Sequence, residues 1–156
     1  SRWTGIESLE AARILDATRE SMIEDNRGFI TETVFSDPQG TKLAMLHKAV
    51  DAGFDVILVY IGLASADIAQ RRIDQRVANN GHDVPRDRVA PRFERSLKNL
   101  VEAIAFVPVV ALFYTSSTDE PFRPIARFER CTLITPPAGP FRRWPRAVAP
   151  AGCQRR

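Results

Sequence analysis

Residues 55–77, DVILVYIGLASADIAQRRIDQRV, decide the fold, because an apolar run passes directly into a capped helical pattern. The run DVILVYIGL lacks polar alternation, which is typical of a strand covered on both faces in a parallel sheet. Ser65 is a favoured N-cap residue, and Asp67 places a carboxylate in the first turn, where the helix dipole favours an anion. The segment therefore predicts a strand followed by a helix over 66–79, a repeating unit of α/β proteins.

Two helices and a strand are expected before this unit. Apolar residues at roughly helical spacing, with no Gly or Pro among them, predict a helix over 6–25. FITETVF, residues 29–35, alternates and is rich in β-branched and aromatic side chains, which favours a strand. A second helical pattern covers 41–52 and meets Gly53, a residue type that is common just past a helix end.

One more helix and one more strand are expected after it. Pro91 lacks an N–H and restricts the residue before it. We therefore expect a turn at 85–89 and a main helix over 91–105 that has Pro91 at its first position. VPVVALFYT, residues 107–115, is typical of a further buried strand. Strands that alternate with helices predict an α/β fold with a mostly parallel sheet.

The two ends of the chain differ in composition. Residues 1–130 carry the alternating pattern and are long enough to form one domain with a core. Residues 131–156 are rich in proline and arginine and cannot bury one face. We expect this second part to be a loosely ordered tail.

Charge is distributed unevenly, although the net charge is only +3. Residues 71–98 hold eight Lys or Arg side chains against four Asp or Glu side chains. A basic patch of this kind recruits nucleic acid, a membrane surface or a phosphorylated small molecule. No run of eighteen apolar residues occurs, so the sequence predicts no membrane span.

The cysteines and histidines show no metal-ligand spacing. Cys131 and Cys153 stand near the irregular end of the chain, and His47 and His82 are the only histidines. A Cys/His zinc site is therefore not expected. The cysteine usage favours a reducing, cytoplasmic setting.

The segment NNGHDVPRDRVAPRFERSLKNL, residues 79–100, places basic groups along a helix. On a helical wheel, Arg92, Arg95 and Asn99 share one side. The expected turn before the helix leaves the direction of Arg88 open. Such a row either binds phosphate or forms an ordinary solvated face, and spacing alone favours the solvated face.

An acid and a hydroxyl stand in the expected strand 29–35. Glu32 and Thr33 lie near its carboxyl end, and ligands of open α/β sheets bind at that edge. From the strand pattern alone, a functional role for Glu32 and an ordinary solvent-exposed position are equally well supported.

Three segments together resemble the zeta toxin family of P-loop kinases. They are FITETVFSD, AGFDVILVYIGLASADIAQRRIDQRV and GHDVPRDRVAPRFERSLKNL, and the resemblance covers roughly residues 5–130. It implies a three-layer P-loop kinase-like fold, ATP and Mg²⁺ as cofactors, and phosphorylation of a hydroxyl on a UDP-amino sugar such as UDP-N-acetylglucosamine. No Gly-x-x-x-x-Gly-Lys phosphate loop occurs in the chain. The sequence thus resembles the C-terminal part of such a kinase, without its first strand, phosphate loop and catalytic base.

The same resemblance implies roles for individual residues. Glu32 and Thr33 match positions that contact the acceptor substrate. His82 matches the histidine of the lid. The basic positions that face the transferred phosphoryl group are matched by Arg76, Arg92 and Arg95.

Two other functions compete with the kinase. One is a non-catalytic remnant or interaction protein that binds a UDP-sugar or an antitoxin-like partner. The other is nucleic-acid binding through residues 71–98 and the arginines of the tail, which the lack of interleaved aromatic residues disfavours.

Overall fold

The computed structural model describes residues 5–81, 83–115, 121–135 and 150–155. Within these ranges the helices are α1 Gly5–Glu24, α2 Thr41–Asp51, α3 Ala66–Ala78 and α4 Arg86–Phe106. The strands are β1 Ile57–Gly62, β2 Val109–Tyr114, β3 Arg123–Glu129, β4 Thr132–Thr135 and β5 Gln154–Arg155. The expected helices before α4, the Ser65 cap of α3, and the strands at β1 and β2 are confirmed.

The sheet is mixed, which corrects the expectation of a mostly parallel one. Its strand order is β1-β2-β3-β4-β5, with parallel pairing of β1 with β2 and of β4 with β5. The pairings of β2 with β3 and of β3 with β4 are antiparallel. Arg130 and Cys131 join β3 to β4 with φ angles of 45° and 59°, and so tight a link permits only antiparallel neighbours.

The strand predicted over residues 29–35 is absent from the structure. A strand requires a neighbour for its backbone groups, and this segment is held by side chains instead. The Arg19 Nε donates to Thr31 Oγ1 at 2.8 Å, and Arg19 Nη2 donates to the Glu32 carbonyl at 3.5 Å. Ile30 is fully exposed, and only Phe35, at the end of the segment, is buried in the core.

Helix α4 begins earlier than the sequence predicted. It starts at Arg86, and Pro91 lies inside it rather than at its first position. Because proline has no N–H, the Asp87 carbonyl one turn earlier lacks its usual helical donor. The helix nevertheless continues through this point, and Arg88 thereby joins the face that carries Arg92 and Arg95.

The core lies between α4, α2 and one face of the sheet. Leu100, Ala103 and Ile104 of α4 are completely buried, and Val110 of β2 is buried as deeply. The α2 residues Leu43 and Leu46 extend the same cluster. The apolar stripe of α4 therefore determines how the helices lie on the sheet.

The opposite face of the sheet is uncovered in the described part of the chain. Ile57, Val59 and Ile61 of β1 share this face and expose 65%, 54% and 49% of their surface. Their β2 partners Val109, Ala111 and Phe113 are only half buried. These six residues form what we call the open face. The described residues thus make two layers, whereas three were expected, because none of their helices lies over β1 on this side.

The end of the chain is joined to the sheet. Cys131 and Cys153 form a disulfide, with a Cα–Cα distance of 4.9 Å, and β5 pairs with the edge strand β4. The β3–β4 hairpin spans residue 130, where the sequence suggested a boundary. Residues 136–149 lie outside the described ranges. A disulfide does not fit the reducing setting inferred from the cysteines, because such bonds persist mainly in oxidising compartments.

No described helix is both long and apolar enough to cross a bilayer.

Reduction of the disulfide should destabilise the protein. The bond joins residues 22 positions apart, and closing a loop of this length restricts the unfolded chain by about 3 kcal/mol. Cys153→Ser should lower the free energy of unfolding in urea by a similar amount, and the wild type should match the variant once dithiothreitol is added. Equal stability of the oxidised wild type and the variant would contradict the pairing.

An ion cluster joins α1 to α2. The Asp16 carboxylate accepts hydrogen bonds from Lys42 Nζ at 2.6 Å and from Arg19 Nη1 at 2.7 Å. The bond from Lys42 is the main cause that lowers the pKa of Asp16 below its usual value, and partial burial opposes it. Arg19 thus connects α2, through Asp16, to the irregular segment at residues 31–32.

The contribution of Asp16 should depend on pH. Because its pKa is lower in the folded state, the carboxylate stabilises the fold above its unfolded pKa of 3.8, and this contribution disappears as the pH falls through the lower folded value. The difference in unfolding free energy between wild type and Asp16→Asn should therefore be constant near neutral pH and shrink below pH 3.8. Urea titrations from pH 7 to 2.5 measure this, with Asp51→Asn as a control at an exposed site. A difference that stays constant to the lowest pH would show that the ion cluster has no such role.

Candidate functional site

Two side chains of α4 hold the backbone of residues 35 and 36. The Asn99 Nδ2 donates to the Phe35 carbonyl at 3.1 Å, and the Arg95 Nε donates to the Ser36 carbonyl at 3.1 Å. Asn99 and Ser36 are both buried. These bonds attach the end of the irregular segment to the arginine side of α4.

Aromatic packing supports the same attachment. The Phe35 ring meets the Tyr60 ring edge-on, with centroids 6.5 Å apart. The Tyr60 hydroxyl shares a hydrogen bond of 2.8 Å with Ser96 Oγ on α4, and burial raises the pKa of Tyr60. Residue 35 is therefore fixed between β1 and α4.

A cavity of about 520 Å³ lies beside this attachment, and we call it the arginine cleft. Three guanidinium side chains of α4 line it, those of Arg88, Arg92 and Arg95. The remaining lining residues are Val34, Ser36, Asp37, Pro38, Asp87 and Pro91. Three cations against two carboxylates leave the cleft with an excess of positive charge, which suits an anion.

A second cavity of about 430 Å³ adjoins the first, and we call it the α2–α4 groove. It runs between the start of α2 and the middle of α4, and it contains Lys98, Glu102 and His47. The His47 ring stacks on Phe106 with centroids 3.5 Å apart. Asp37 and Arg95 line both cavities, so the two spaces meet at this pair.

Asp37 uses only one of its carboxylate oxygens in the fold. Its Oδ2 accepts hydrogen bonds from the Thr41 backbone N–H at 2.7 Å and from Thr41 Oγ1 at 3.0 Å. These bonds satisfy a donor in the first turn of α2, where the preceding residue Gly40 has a left-handed φ of 69° and supplies no side-chain cap. The other oxygen, Oδ1, is buried and has no hydrogen-bond partner.

The sequence-predicted residues are only partly brought together. Arg92 and Arg95 share the arginine cleft, and the structure adds Arg88 to them. Arg76 lies at the end of α3 and lines neither cavity. Its carbonyl accepts the Gly81 N–H at 2.8 Å, and a Cβ on Gly81 would collide with the Arg76 side chain. The roles assigned to these arginines remain predictions.

The expected acceptor residues lie outside both cavities. Glu32 and Thr33 are exposed, and without a strand over 29–35 they are not at the end of a sheet strand. Their contact with a substrate remains a prediction. His82 falls outside the described residues.

Sequence reasoning missed the residues that position the cleft. Asn99 was placed on the arginine side of its helix but was given no role, and Asp37 was treated as part of a polar loop. A signal for Asn99 existed, because an amide three to four residues after Arg95 on the same helix face can reach the same backbone segment. For Asp37, an acid followed four residues later by Thr at a helix start indicated capping.

A family model described as Zeta toxin matches residues 1–116, which is more than half of the chain. The chain belongs to the zeta toxin family. Its α/β architecture is consistent with a P-loop kinase-like domain, and zeta toxin membership indicates a P-loop kinase-like function. Searches of curated proteins and of solved structures gave no match.

In this zeta toxin family chain, Asn99→Ala should release residue 35. The substitution leaves a buried carbonyl without a donor, which should lower the free energy of unfolding by about 1–3 kcal/mol. Lys98→Ala, at the exposed neighbouring position, should change it by less than about 0.5 kcal/mol. Chemical denaturation measures both variants. A loss in Asn99→Ala no larger than in Lys98→Ala would contradict the anchoring role.

Proposed function

We propose that the chain forms the acceptor- and phosphoryl-binding part of an ATP-dependent kinase of the zeta toxin type. Its substrate would be a hydroxyl of a UDP-amino sugar such as UDP-N-acetylglucosamine. The observation that carries the proposal is the arginine cleft, a single cavity lined by three arginine side chains of α4. Family membership supports the kinase class, and the substrate is the more specific part of the proposal.

The chemistry of the cleft suits phosphoryl transfer. In this reaction negative charge spreads over the equatorial oxygens of the migrating group, so fixed cations stabilise it. Arginine keeps its charge at all working pH values and offers a planar fork that matches phosphate oxygens. Arg92 and Arg88 would hold the phosphoryl group, while Arg95 also anchors Ser36 and so keeps the cations beside the substrate segment.

ATP and Mg²⁺ are implied by the family, but neither a phosphate-loop motif in the sequence nor a metal-ligand cluster among the described residues fits them. The sequence has no Gly-x-x-x-x-Gly-Lys loop. Within the described ranges, no three His, Cys, Asp or Glu side chains converge as metal ligands. When bound, ATP supplies the phosphoryl group and Mg²⁺ neutralises its charge.

The edge of the sheet supports a place for the phosphate loop. β1 is the outermost strand, so one row of its backbone groups has no strand neighbour among the described residues. The open face adjoins this edge, and its exposed Ile57, Val59 and Ile61 are unusual for a parallel strand, since such strands are normally covered. A strand added beside β1 and followed by a helix over the open face would cover both. We assign this position to the strand, phosphate loop and helix of the complete kinase.

A nucleotide sugar and ATP would be the small-molecule partners, and an antitoxin-like protein would be a macromolecular one. A cytoplasmic location follows from the proposed substrate and remains in conflict with the disulfide.

Kinase activity is tested in the complete polypeptide that carries these residues. With Mg²⁺, it should consume ATP only when UDP-N-acetylglucosamine is present. Arg92→Ala should reduce turnover roughly a hundredfold or more, because it removes a cation that faces the developing charge. A coupled ATPase assay and mass spectrometry of the sugar product measure the two effects.

Arg72→Ala provides the matched control. Arg72 is an exposed arginine of α3 that lines neither cavity, so its removal should leave turnover near the wild-type value. Equal activity of Arg92→Ala and Arg72→Ala would reject the role of the cleft. A wild-type protein without sugar-dependent ATP consumption would reject the kinase.

A further inference from the structure

Asp37 contains a buried acceptor that the fold does not use. Its Oδ2 binds Thr41, whereas Oδ1 is buried without a hydrogen-bond partner. Among the buried side-chain polar atoms of the described residues, this is the only one left unpaired. Nearly all such atoms in native proteins have a partner, because an unpaired buried acceptor is unfavourable. No described residue supplies this donor.

The location of Asp37 makes a ligand the natural source of that donor. Asp37 lines both the arginine cleft and the α2–α4 groove, at the point where the two meet. The position of Asp37 is fixed by hydrogen bonds. Arg95 and Asn99 bind the carbonyls of the two preceding residues, and Thr41 binds the Asp37 carboxylate. The acceptor is thus preorganised beside a concentration of positive charge.

The neighbouring groups restrict what the ligand can be. An ionised carboxylate only accepts hydrogen bonds, so the ligand must offer a hydroxyl or an amide N–H. Arg88, Arg92 and Arg95 line the adjoining space, where the proposed function places the migrating phosphoryl group. The donor therefore belongs to the acceptor of that group, and a sugar offers hydroxyl and amide donors.

We propose that Asp37 is a substrate-binding residue whose Oδ1 accepts a hydrogen bond from a hydroxyl or amide of a phosphorylated sugar. The hydroxyl that accepts the phosphoryl group lies toward the arginine cleft, and the rest of the sugar lies toward the α2–α4 groove. This inference rests on the proposed function and deepens it, since it names the residue that selects the acceptor. Asp37 thereby becomes a second acidic candidate for substrate binding. It lines both cavities, whereas the exposed Glu32 lines neither.

The Asp37→Asn variant tests the contribution of Oδ1 to ligand binding while it preserves the hydrogen bond that Oδ2 makes in the fold. The Thr41 backbone N–H requires an acceptor, so the amide oxygen of the substituted side chain takes the place of Oδ2 and preserves the bond to α2. The amide nitrogen then occupies the Oδ1 position and presents a donor where the ligand needs an acceptor. Asp51→Asn repeats the chemical change at an exposed site outside both cavities.

Binding is measured by isothermal titration calorimetry with three probes, namely UDP-N-acetylglucosamine, inorganic pyrophosphate and Mg²⁺ alone. The wild type should bind the first two. Asp37→Asn should lower the affinity for UDP-N-acetylglucosamine roughly ten- to a hundredfold, which is the range expected for the loss of a hydrogen bond to a charged group. Its affinity for pyrophosphate should change less than about threefold, because pyrophosphate offers no comparable donor and the arginines stay in place. The control variant Asp51→Asn should match the wild type with either probe.

Each other result overturns a different statement. If the wild type binds the UDP-sugar and Asp37→Asn binds it equally well, the role of Asp37 is wrong and the proposed function stands. If Asp37→Asn loses affinity for pyrophosphate and for the UDP-sugar together, Asp37 maintains the shape of the cleft and does not bind the sugar. If Mg²⁺ alone binds the wild type and not the variant, Oδ1 takes a cation. If the wild type binds neither anionic probe, the proposed function fails, and the inference fails with it.

Discussion

The structure depends on the attachment of residues 35 and 36 to α4. This segment has no strand neighbour to satisfy its backbone, so Asn99 and Arg95 donate to its carbonyls at one end, and Arg19 does so near residue 32. Side-chain donors have thereby replaced a ladder of backbone hydrogen bonds. The same two α4 residues place Asp37 beside the arginine row, which includes the exposed Arg88 and Arg92.

Local signals predicted much of the fold. The helices at α1, α2 and α3 follow from spacing and caps within each segment, and Ser65 accepts from Ile68 N–H as its residue type indicated. The segment 29–35 shows the limit of such signals. Its alternation and β-branched residues favour a strand, but a strand exists only where another strand pairs with it. Pro91 shows a second limit, because helix packing through Val89 and Leu100 outweighed the local preference for a helix start.

The candidate site was only partly predictable for a related reason. Arg92 and Arg95 could be placed on one helix face from their spacing, and the structure places both in the same cleft. Their partners could not be read from spacing, since Ser36 is 59 positions from Arg95 and Phe35 is 64 positions from Asn99. Contacts this distant are determined by how the helix lies on the sheet. The strand expected over 29–35 does not form, so the direction of the Glu32 side chain could not be read from it, and its contact with a substrate stays a prediction.

The open face and the arginine cleft point to the same kind of incompleteness. β1 is apolar on both sides, as in a strand that is buried twice, yet only the side toward α4 is covered in the described residues. The arginine cleft likewise has three cations and, in Asp37, a carboxylate oxygen without a hydrogen-bond partner among the described residues. Under the proposed function, a strand and helix beside β1 would cover the exposed apolar surface and bring a phosphate loop to the sheet edge in one step. The same addition would then serve both stability and catalysis.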